Sequence, residues 1–178
     1  MQNIDMTLVN FKNLENFVLS SFLAMGLRNE DAKIFTDALM FSELRFHSGQ
    51  GQGVQRITTY YKRIKNKEVN INIDLDIVKE SSSLALVDAK NGIGTVQASK
   101  CMDIAITKAK NEGIGQVIIK NSTHFGSSSV HAVRATKKNC IGIAYTNAGP
   151  EMAPWGSRSG GVGTCLLYTS DAADDDHC

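Results

Sequence analysis

The stretch SLALVDAKNGIGTVQASKCMDIAITKAKNEGIGQVIIK (83–120) decides the fold, because two short apolar runs flank one long helical segment. The runs SLALVDA and QVIIK are short and apolar, which is typical of strands. Between them NGIG predicts a turn, and the helix that follows is expected to end at Gly113. The order strand, helix, strand predicts a layered α/β unit.

The flanking segments extend this pattern in both directions. SSSVHAVRATKKN predicts a further helix, IGIAYTN a further strand, and the alternating NINIDLDI (70–77) a half-buried strand. Upstream, one helix is predicted up to Gly26 and a second with Asn29 as its N-cap. The sequence therefore predicts a mixed α/β (α+β) protein, with a helical segment at 1–70 and an alternating strand–helix unit with a mixed sheet at 71–164. The apolar positions of the two helices are Leu14, Phe17, Val18, Phe22 and Leu23, then Ile34, Phe35, Ala38 and Leu39.

Composition and charge exclude several classes of function. Nineteen basic residues against eighteen acidic ones leave a net charge of +1, so no strong single-sign field suggests a nucleic-acid or membrane surface. The start MQNIDMTLVN is not a secretory signal, and no run of residues is long and apolar enough to span a bilayer. Without an export signal the four cysteines are expected to be free thiols, and the expected location is the cytoplasm.

The glycine motifs and most of the histidines are weak signals. GQGQG does not follow a predicted strand, and NGIGTV matches only two of the three glycines of the dinucleotide fingerprint. The histidines show no HxxxH or HExxH pair and the cysteines no zinc spacing, so no metal site is expected. His131 lies inside a predicted helix, where a packed or solvent-facing role is favoured over chemistry.

His124, in NSTHFGSSS (121–129), is the candidate for chemistry, because it lies in the loop at the carboxyl end of a predicted strand. Ligands bind at that edge of α/β sheets, and an imidazole there can exchange a proton near neutral pH. Position alone leaves open a capping or packing role.

Three segments together resemble the malate/L-lactate dehydrogenase family, which is distinct from the Rossmann-type dehydrogenases. They are SELRFHSGQGQGVQRITTYYKRI (42–64), GIGTVQASKCMDIAITKAKNEGIGQVIIKNSTHFGSSSVHA (92–132) and IGIAYTNAGPEMAPWGSRSGGVGT (141–164). The resemblance implies a non-Rossmann oxidoreductase fold, a homodimer, and reversible hydride transfer. The partners in that transfer would be NAD or NADP and a small 2-oxo or 2-hydroxy acid, or a related imino acid.

The resemblance also implies roles for individual residues. His124 would do acid/base or substrate-binding work, and the guanidinium of Arg56 would bind a substrate carboxylate. The positions implied for the cofactor pocket are Ser122, Thr146, Asn147, Pro154, Trp155 and Gly156. Trp155 has a packing role as an equal alternative.

One departure from the family pattern affects the proton donor. The family segment reads DSHGVxRL, and aligning GVQR on 53–56 puts Gln52 where its histidine stands. A glutamine cannot supply a proton at neutral pH. Either His47 folds back into the site, or His124 and water carry the proton, or the chemistry differs; we expect a variant subgroup in which His124 is the main acid. The alternative class is a non-catalytic binding or structural relative that kept the fold.

The resemblance stops abruptly after Thr164, and family members run to roughly twice this length. The following run CLLYTSDAADD resembles the translation of a sequencing-library transposon-end adapter. Residues 165–178 are therefore expected to be a non-native tail on a truncated gene, and a metal-binding end is the disfavoured alternative. On this hypothesis the parent protein is an enzyme and the truncated chain is inactive.

Overall fold

The computed structural model describes residues 8–45, 53–147, 153, 155–156 and 158–160, together with the main chain of 166–170. The chain divides into two compact units, Met1–Glu68 and Val69–Cys178. The helices are α1 (Phe11–Ala24), α2 (Asn29–Leu44), α3 (Arg56–Lys65), α4 (Gly94–Glu112) and α5 (Ser128–Thr136). The strands are β1 (Asp76–Glu80), β2 (Leu84–Asp88), β3 (Gln116–Lys120), β4 (Gly142–Thr146) and β5 (Leu166–Ser170).

The first unit is built on an aromatic cluster that joins its three helices. The ring of Phe22 in α1 stacks on Phe35 in α2 with 4.4 Å between centroids, and Tyr60 in α3 meets Phe35 edge-on at 4.6 Å. All three side chains are fully buried, whereas Phe17 and Leu23 of the predicted apolar stripe are exposed. The backbone N–H of Val54 donates to the Glu43 carboxylate at 2.8 Å, which ties the turn before α3 to the end of α2.

The predicted helix boundaries of this unit are confirmed at Gly26 and wrong by one residue at Asn29. Gly26 follows the α1 C-cap with φ +90°, the left-handed conformation that glycine adopts without strain. Arg28, with no side-chain capping bond, is the N-cap of α2, and Asn29 is its first helical residue. Asp31 in the first turn pairs with the Arg28 guanidinium at 2.9 Å, so a carboxylate complements the helix dipole where a capping side chain was expected.

The second unit contains the mixed sheet that the sequence predicts. Strands β1 and β2 are antiparallel, whereas β2 and β3 are parallel and in register from Leu84–Gln116 to Asp88–Lys120. Helix α4 is the crossover between the parallel strands, and it ends at Gly113 (φ +81°) as predicted. Buried apolar side chains of β2 and α4 make the core of this layer: Ala85, Val87, Val96, Ala98, Cys101 and Ile106. Helix α5 packs on α4 and on β4, which pairs with β5 in a separate antiparallel sheet.

The predicted strand at 70–77 is wrong in position, because β1 begins at Asp76. Ile71, Ile73 and Leu75 are half-buried between exposed neighbours, so the alternation that predicted a strand exists as a burial pattern. Asn72, however, has φ +58°, which interrupts the extended backbone that a ladder needs. Before Asp76, the isolated bridge between Asn70 and Gly92 is the one ladder pairing of this segment in the described part of the chain.

Among the described helices, none combines the length and apolarity that crossing a bilayer requires.

The aromatic cluster gives a first prediction. Replacing Phe35→Ala removes the ring that contacts both other aromatic residues, so the free energy of unfolding is expected to fall by about 3–5 kcal/mol. The exposed Phe17→Ala serves as the control and is expected to cost less than about 1 kcal/mol. Urea denaturation of both variants measures the difference, and equal losses would contradict this assignment of the core.

Candidate active site

The histidine loop, residues 121–127, joins the end of β3 to the start of α5 and carries His124. It opens with Asn121, which has φ +53°, a left-handed conformation that asparagine tolerates better than most residues. The Asn121 amide donates to Asp88 at the end of β2 at 2.9 Å, and its carbonyl accepts from Asn91 at 2.8 Å. The parallel strand ends are therefore joined before the loop turns away.

Asp88 is ionised at this junction. The N–H of Lys90 donates to its carboxylate at 2.8 Å, and this bond is the main reason why its pKa lies below the ordinary value, despite some opposing desolvation. The Asn121 amide and the ammonium of Lys120, 3.4 Å away, lower the pKa further. One carboxylate thus fastens both the turn after β2 and the loop after β3.

Thr123 fixes the histidine loop against the NGIG turn. Its hydroxyl donates to the Gly92 carbonyl at 2.7 Å and accepts from the Gly94 N–H at 3.0 Å. Gly94 is the first residue of α4, so the bond also satisfies a helix-terminal N–H. The residue immediately before His124 is therefore held by two hydrogen bonds.

The turn and the loop approach each other so closely that Gly94 admits no side chain. A Cβ placed there would lie 2.2 Å from the Thr123 carbonyl oxygen and 2.4 Å from that of His124. NGIG, which sequence reasoning treats as a plain turn with a weak fingerprint, is thus the surface on which the candidate catalytic loop rests.

His131 supports the other side of the loop from the buried first turn of α5. It is 1% exposed, and its Nε2 lies 3.0 Å from the carbonyl oxygen of Phe125, while its Nδ1 lies 3.3 Å from the Ser99 hydroxyl. A carbonyl can only accept, so Nε2 carries the hydrogen and Nδ1 accepts from Ser99. Thr95 also donates to the Phe125 carbonyl, at 3.2 Å. Of the packed and solvent-facing roles that the sequence leaves open for His131, the packed one is observed.

Burial makes His131 a neutral histidine. Desolvation lowers its pKa from 6.5 to about 4; the bond to Phe125 opposes this shift, and the positive charge of Arg134 adds to it. His124, seven residues earlier, is half-buried in the loop. The two histidines of one short segment therefore lie in different environments.

The other predicted site residues lie in several places. Arg56 is half-buried at the start of α3 in the first unit, whereas Ser122 is exposed beside His124 in the second. Thr146, half-buried, ends β4, and Asn147, exposed, follows it. The side-chain amide of Gln116 donates to the Tyr145 hydroxyl at 3.1 Å. Gln116 begins β3 whereas His124 follows the end of that strand, so this bond does not itself bring Thr146 to the histidine loop.

Some predicted positions gain no structural account. His47, Gln52 and Pro154 lie outside the described residues. Trp155 and Gly156 are exposed. Among the described residues, no group of three His, Cys, Asp or Glu side chains is close enough to hold a metal ion.

The supporting residues Thr95, Ser99 and Thr123 escaped prediction. Thr95 bonds to Phe125, Ser99 to His131 and Thr123 to the Gly92 carbonyl, and each of these partners lies 30 to 32 positions away along the chain. The available signal was the threonine inside NSTHFG and the hydroxyl residues of TVQAS at four-residue spacing, which put two hydroxyls on one face of a helix.

Thr123 gives a second prediction. Thr123→Val keeps the shape but removes both hydrogen bonds, so we expect a loss of about 1–3 kcal/mol in the free energy of unfolding and faster hydrogen exchange at the Gly94 amide. Thr107→Val is the matched control, because its exposed hydroxyl bonds only to the Asp103 carbonyl within the same helix. Unchanged Gly94 exchange in Thr123→Val would rule out the proposed support.

His131 gives a third prediction, which concerns acid. The unfolded chain takes up a proton on this imidazole near pH 6.5, and the folded chain does so only near pH 4. Stability therefore falls as the pH drops between these values, by on the order of 3 kcal/mol in total. Denaturation midpoints measured from pH 7 to 4 should show this slope, and His131→Phe should lack that part of it. An identical slope in the variant would refute the assignment.

Comparisons with known proteins identify the family of this chain. The family model described as malate/L-lactate dehydrogenase matches residues 9–166. The chain is 37% identical over 151 residues to a malate dehydrogenase of Pyrococcus horikoshii, covering 85% of the chain and 41% of that protein. It is 35% identical over 153 residues to an L-sulfolactate dehydrogenase of Methanocaldococcus jannaschii, covering 86% of the chain and 44% of that protein.

A solved structure shows the same likeness in three dimensions. The malate dehydrogenase of Pyrococcus horikoshii OT3 matches with a TM-score of 0.86 and 35% identity, over 92% of this chain and 46% of that one. The chain spans somewhat under half the length of these relatives. It belongs to the malate/L-lactate dehydrogenase family.

Proposed function

We propose that the parent protein transfers a hydride between NAD or NADP and a small 2-oxo or 2-hydroxy acid, or a related imino acid. The observation that carries the proposal is the placement of His124. It is a half-buried imidazole at the carboxyl end of a parallel strand, with the residues on both sides held by hydrogen bonds. The family relatives that act on malate and sulfolactate support the substrate class.

His124 is the proton donor of this mechanism. Reduction of a carbonyl places negative charge on its oxygen, and a positioned imidazolium can transfer a proton to it as the charge develops. In the reverse direction the neutral imidazole takes the hydroxyl proton. The bound nicotinamide would supply or accept the hydride, so the proton and the hydride together account for both atoms added to the carbonyl.

Arg56 is proposed to orient the substrate. A guanidinium binds a carboxylate through two parallel hydrogen bonds, a geometry that a lysine cannot reproduce. The bond from Val54 to Glu43 holds the turn two residues before Arg56. Helix α3 therefore starts from an anchored turn, which favours a defined direction for the arginine.

The residues after β3 and β4 fit a nicotinamide in chemical class. Ser122, Thr146 and Asn147 offer hydroxyl and carboxamide groups, and the nicotinamide carboxamide both donates and accepts hydrogen bonds. The hydroxyls of Ser122 and Thr146 make long bonds, 3.4 Å and 3.5 Å, to neighbouring carbonyls, which a ligand could displace at small cost. With Pro154, Trp155 and Gly156 they remain the proposed cofactor-binding residues.

We also propose that the parent protein is a cytoplasmic homodimer and that residues 165–178 are adapter-derived. The support for the second point is the match of CLLYTSDAADD to the adapter, together with a family match that ends at residue 166. The 178-residue chain is proposed to be inactive. Resequencing across codon 164 supplies the reading frame of the parent protein, and a genomic continuation encoding CLLYTSDAADD would refute the adapter origin.

The fourth prediction tests the function in the parent protein. Nicotinamide oxidation is screened over 2-oxo acids and cyclic imino acids, and the best substrate is then used with His124→Ala. We expect kcat to fall by about 10²- to 10⁴-fold, the usual contribution of a general acid, with cofactor affinity unchanged as measured by nicotinamide fluorescence.

Three outcomes are informative. Wild-type turnover by His124→Ala would remove this residue from the mechanism. Cofactor binding without turnover of any substrate would favour the alternative that Gln52 suggests, a non-catalytic relative that kept the fold. Loss of cofactor binding in the variant would show that His124 serves the pocket and not the proton.

A further inference from the structure

We propose that His131 is a positioning residue for the imidazole of His124, acting through the Phe125 carbonyl that its Nε2–H group holds. The inference rests on the proposed role of His124 in proton transfer. It assigns a purpose to the second histidine of the segment that burial alone does not explain.

The geometry makes the Phe125 carbonyl a fixed point of the histidine loop. It accepts from His131 at 3.0 Å and from Thr95 at 3.2 Å, which uses both lone pairs of the oxygen. The Phe125 and His131 rings are also in contact, with 4.3 Å between centroids. Phe125 directly follows His124, so the peptide that leaves the candidate acid has little freedom.

The imidazole of His131 is suited to this task because it bonds at both ends. Nε2 donates to Phe125 and Nδ1 accepts from Ser99, so the ring bridges the loop and helix α4. No other side chain donates from one edge and accepts at the other with the same rigid spacing. A packing role would need only the volume, which a phenylalanine would supply.

The position of His124 depends on both of its neighbours. Thr123 is tied to the NGIG turn and Phe125 is tied to His131, so the two hydrogen-bonded supports lie on either side of the candidate acid. A misplacement of about 1 Å in a reacting group can cost on the order of 100-fold in rate. Removing one support should therefore affect turnover more than binding.

The fifth prediction uses three replacements of His131 in the parent protein. His131→Gln places an amide near the Nε2 position and keeps the bond to Phe125; His131→Asn reaches only the Nδ1 position; His131→Phe keeps the ring alone. We expect kcat within about 3-fold of wild type for the glutamine and a loss of about 10- to 100-fold for the other two. The KM for the cofactor should stay within about 2-fold in all three variants.

The matched control is Ile106→Ala, which truncates a buried side chain of α4. Ile106 lies seven residues beyond Ser99, the α4 residue that bonds to His131. The substitution lowers the melting temperature without touching the bonds of His131. The two variants are compared at equal loss of melting temperature. If Ile106→Ala then loses as much kcat as His131→Phe, activity merely follows stability and the proposal is wrong. It falls equally if the glutamine variant is as impaired as the phenylalanine variant.

A second readout does not require turnover. Long-range ¹H–¹⁵N spectra of ¹⁵N-histidine-labelled protein report the tautomer of each imidazole. We expect the Nε2–H tautomer for His131, and we expect the His124 resonances to shift in His131→Phe but not in Ile106→Ala. An Nδ1–H tautomer, or unmoved His124 resonances, overturns the positioning role. If instead no 2-oxo acid is turned over but these shifts appear, only the proposed function fails.

Discussion

The parallel pairing of β2 with β3 is the constraint on which the site depends. Its register places Asp88 opposite Lys120, so the turn after one strand and the loop after the other leave the sheet side by side. A parallel pair needs a long crossover, and the nineteen-residue α4 supplies it. The start of that helix lies where the two connections meet, which is why Gly94 contacts the backbone of His124. A slip of register by one residue would separate the turn from the loop and turn every β3 side chain to the opposite face.

His124 and His131 lie seven positions apart, and they show how the surroundings of a side chain determine its role. His131 is enclosed by α4 and the loop, has both ring nitrogens bonded, and stays neutral. It can direct the backbone but has no proton to exchange near pH 7. His124 is half-buried in the loop, where a substrate could reach it. In the proposed mechanism the two histidines are complementary, because proton transfer needs a donor whose position is set by groups that do not themselves react.

Local patterns predicted most of the second unit, because its elements are decided by neighbouring residues. The runs at β2 and β3 and the left-handed Gly113 after α4 follow from side-chain type and backbone preference alone. The misplaced strand shows the limit, since Ile71 and Ile73 alternate in burial without pairing in a ladder. The candidate site was found only as a histidine in a loop. Its supports are hydrogen bonds that join Thr95, Ser99 and Thr123 to partners some thirty residues away along the chain, and no local pattern encodes such a pairing.

The charges around the histidine loop determine which group makes it sensitive to acid. The Lys90 N–H holds the pKa of the Asp88 carboxylate below its ordinary value, so Asp88 keeps its charge to lower pH than an ordinary aspartate does. The anchor at the strand ends therefore persists while the anchor at α5 weakens. Protonation of His131 converts Nδ1 from an acceptor into a donor, which faces a Ser99 hydroxyl able to turn, but it also places a charge in a site that excludes water. The larger cost of protonating His131 is therefore the desolvation of its charge and not the loss of one hydrogen bond. This cost weakens the side of the loop that carries Phe125.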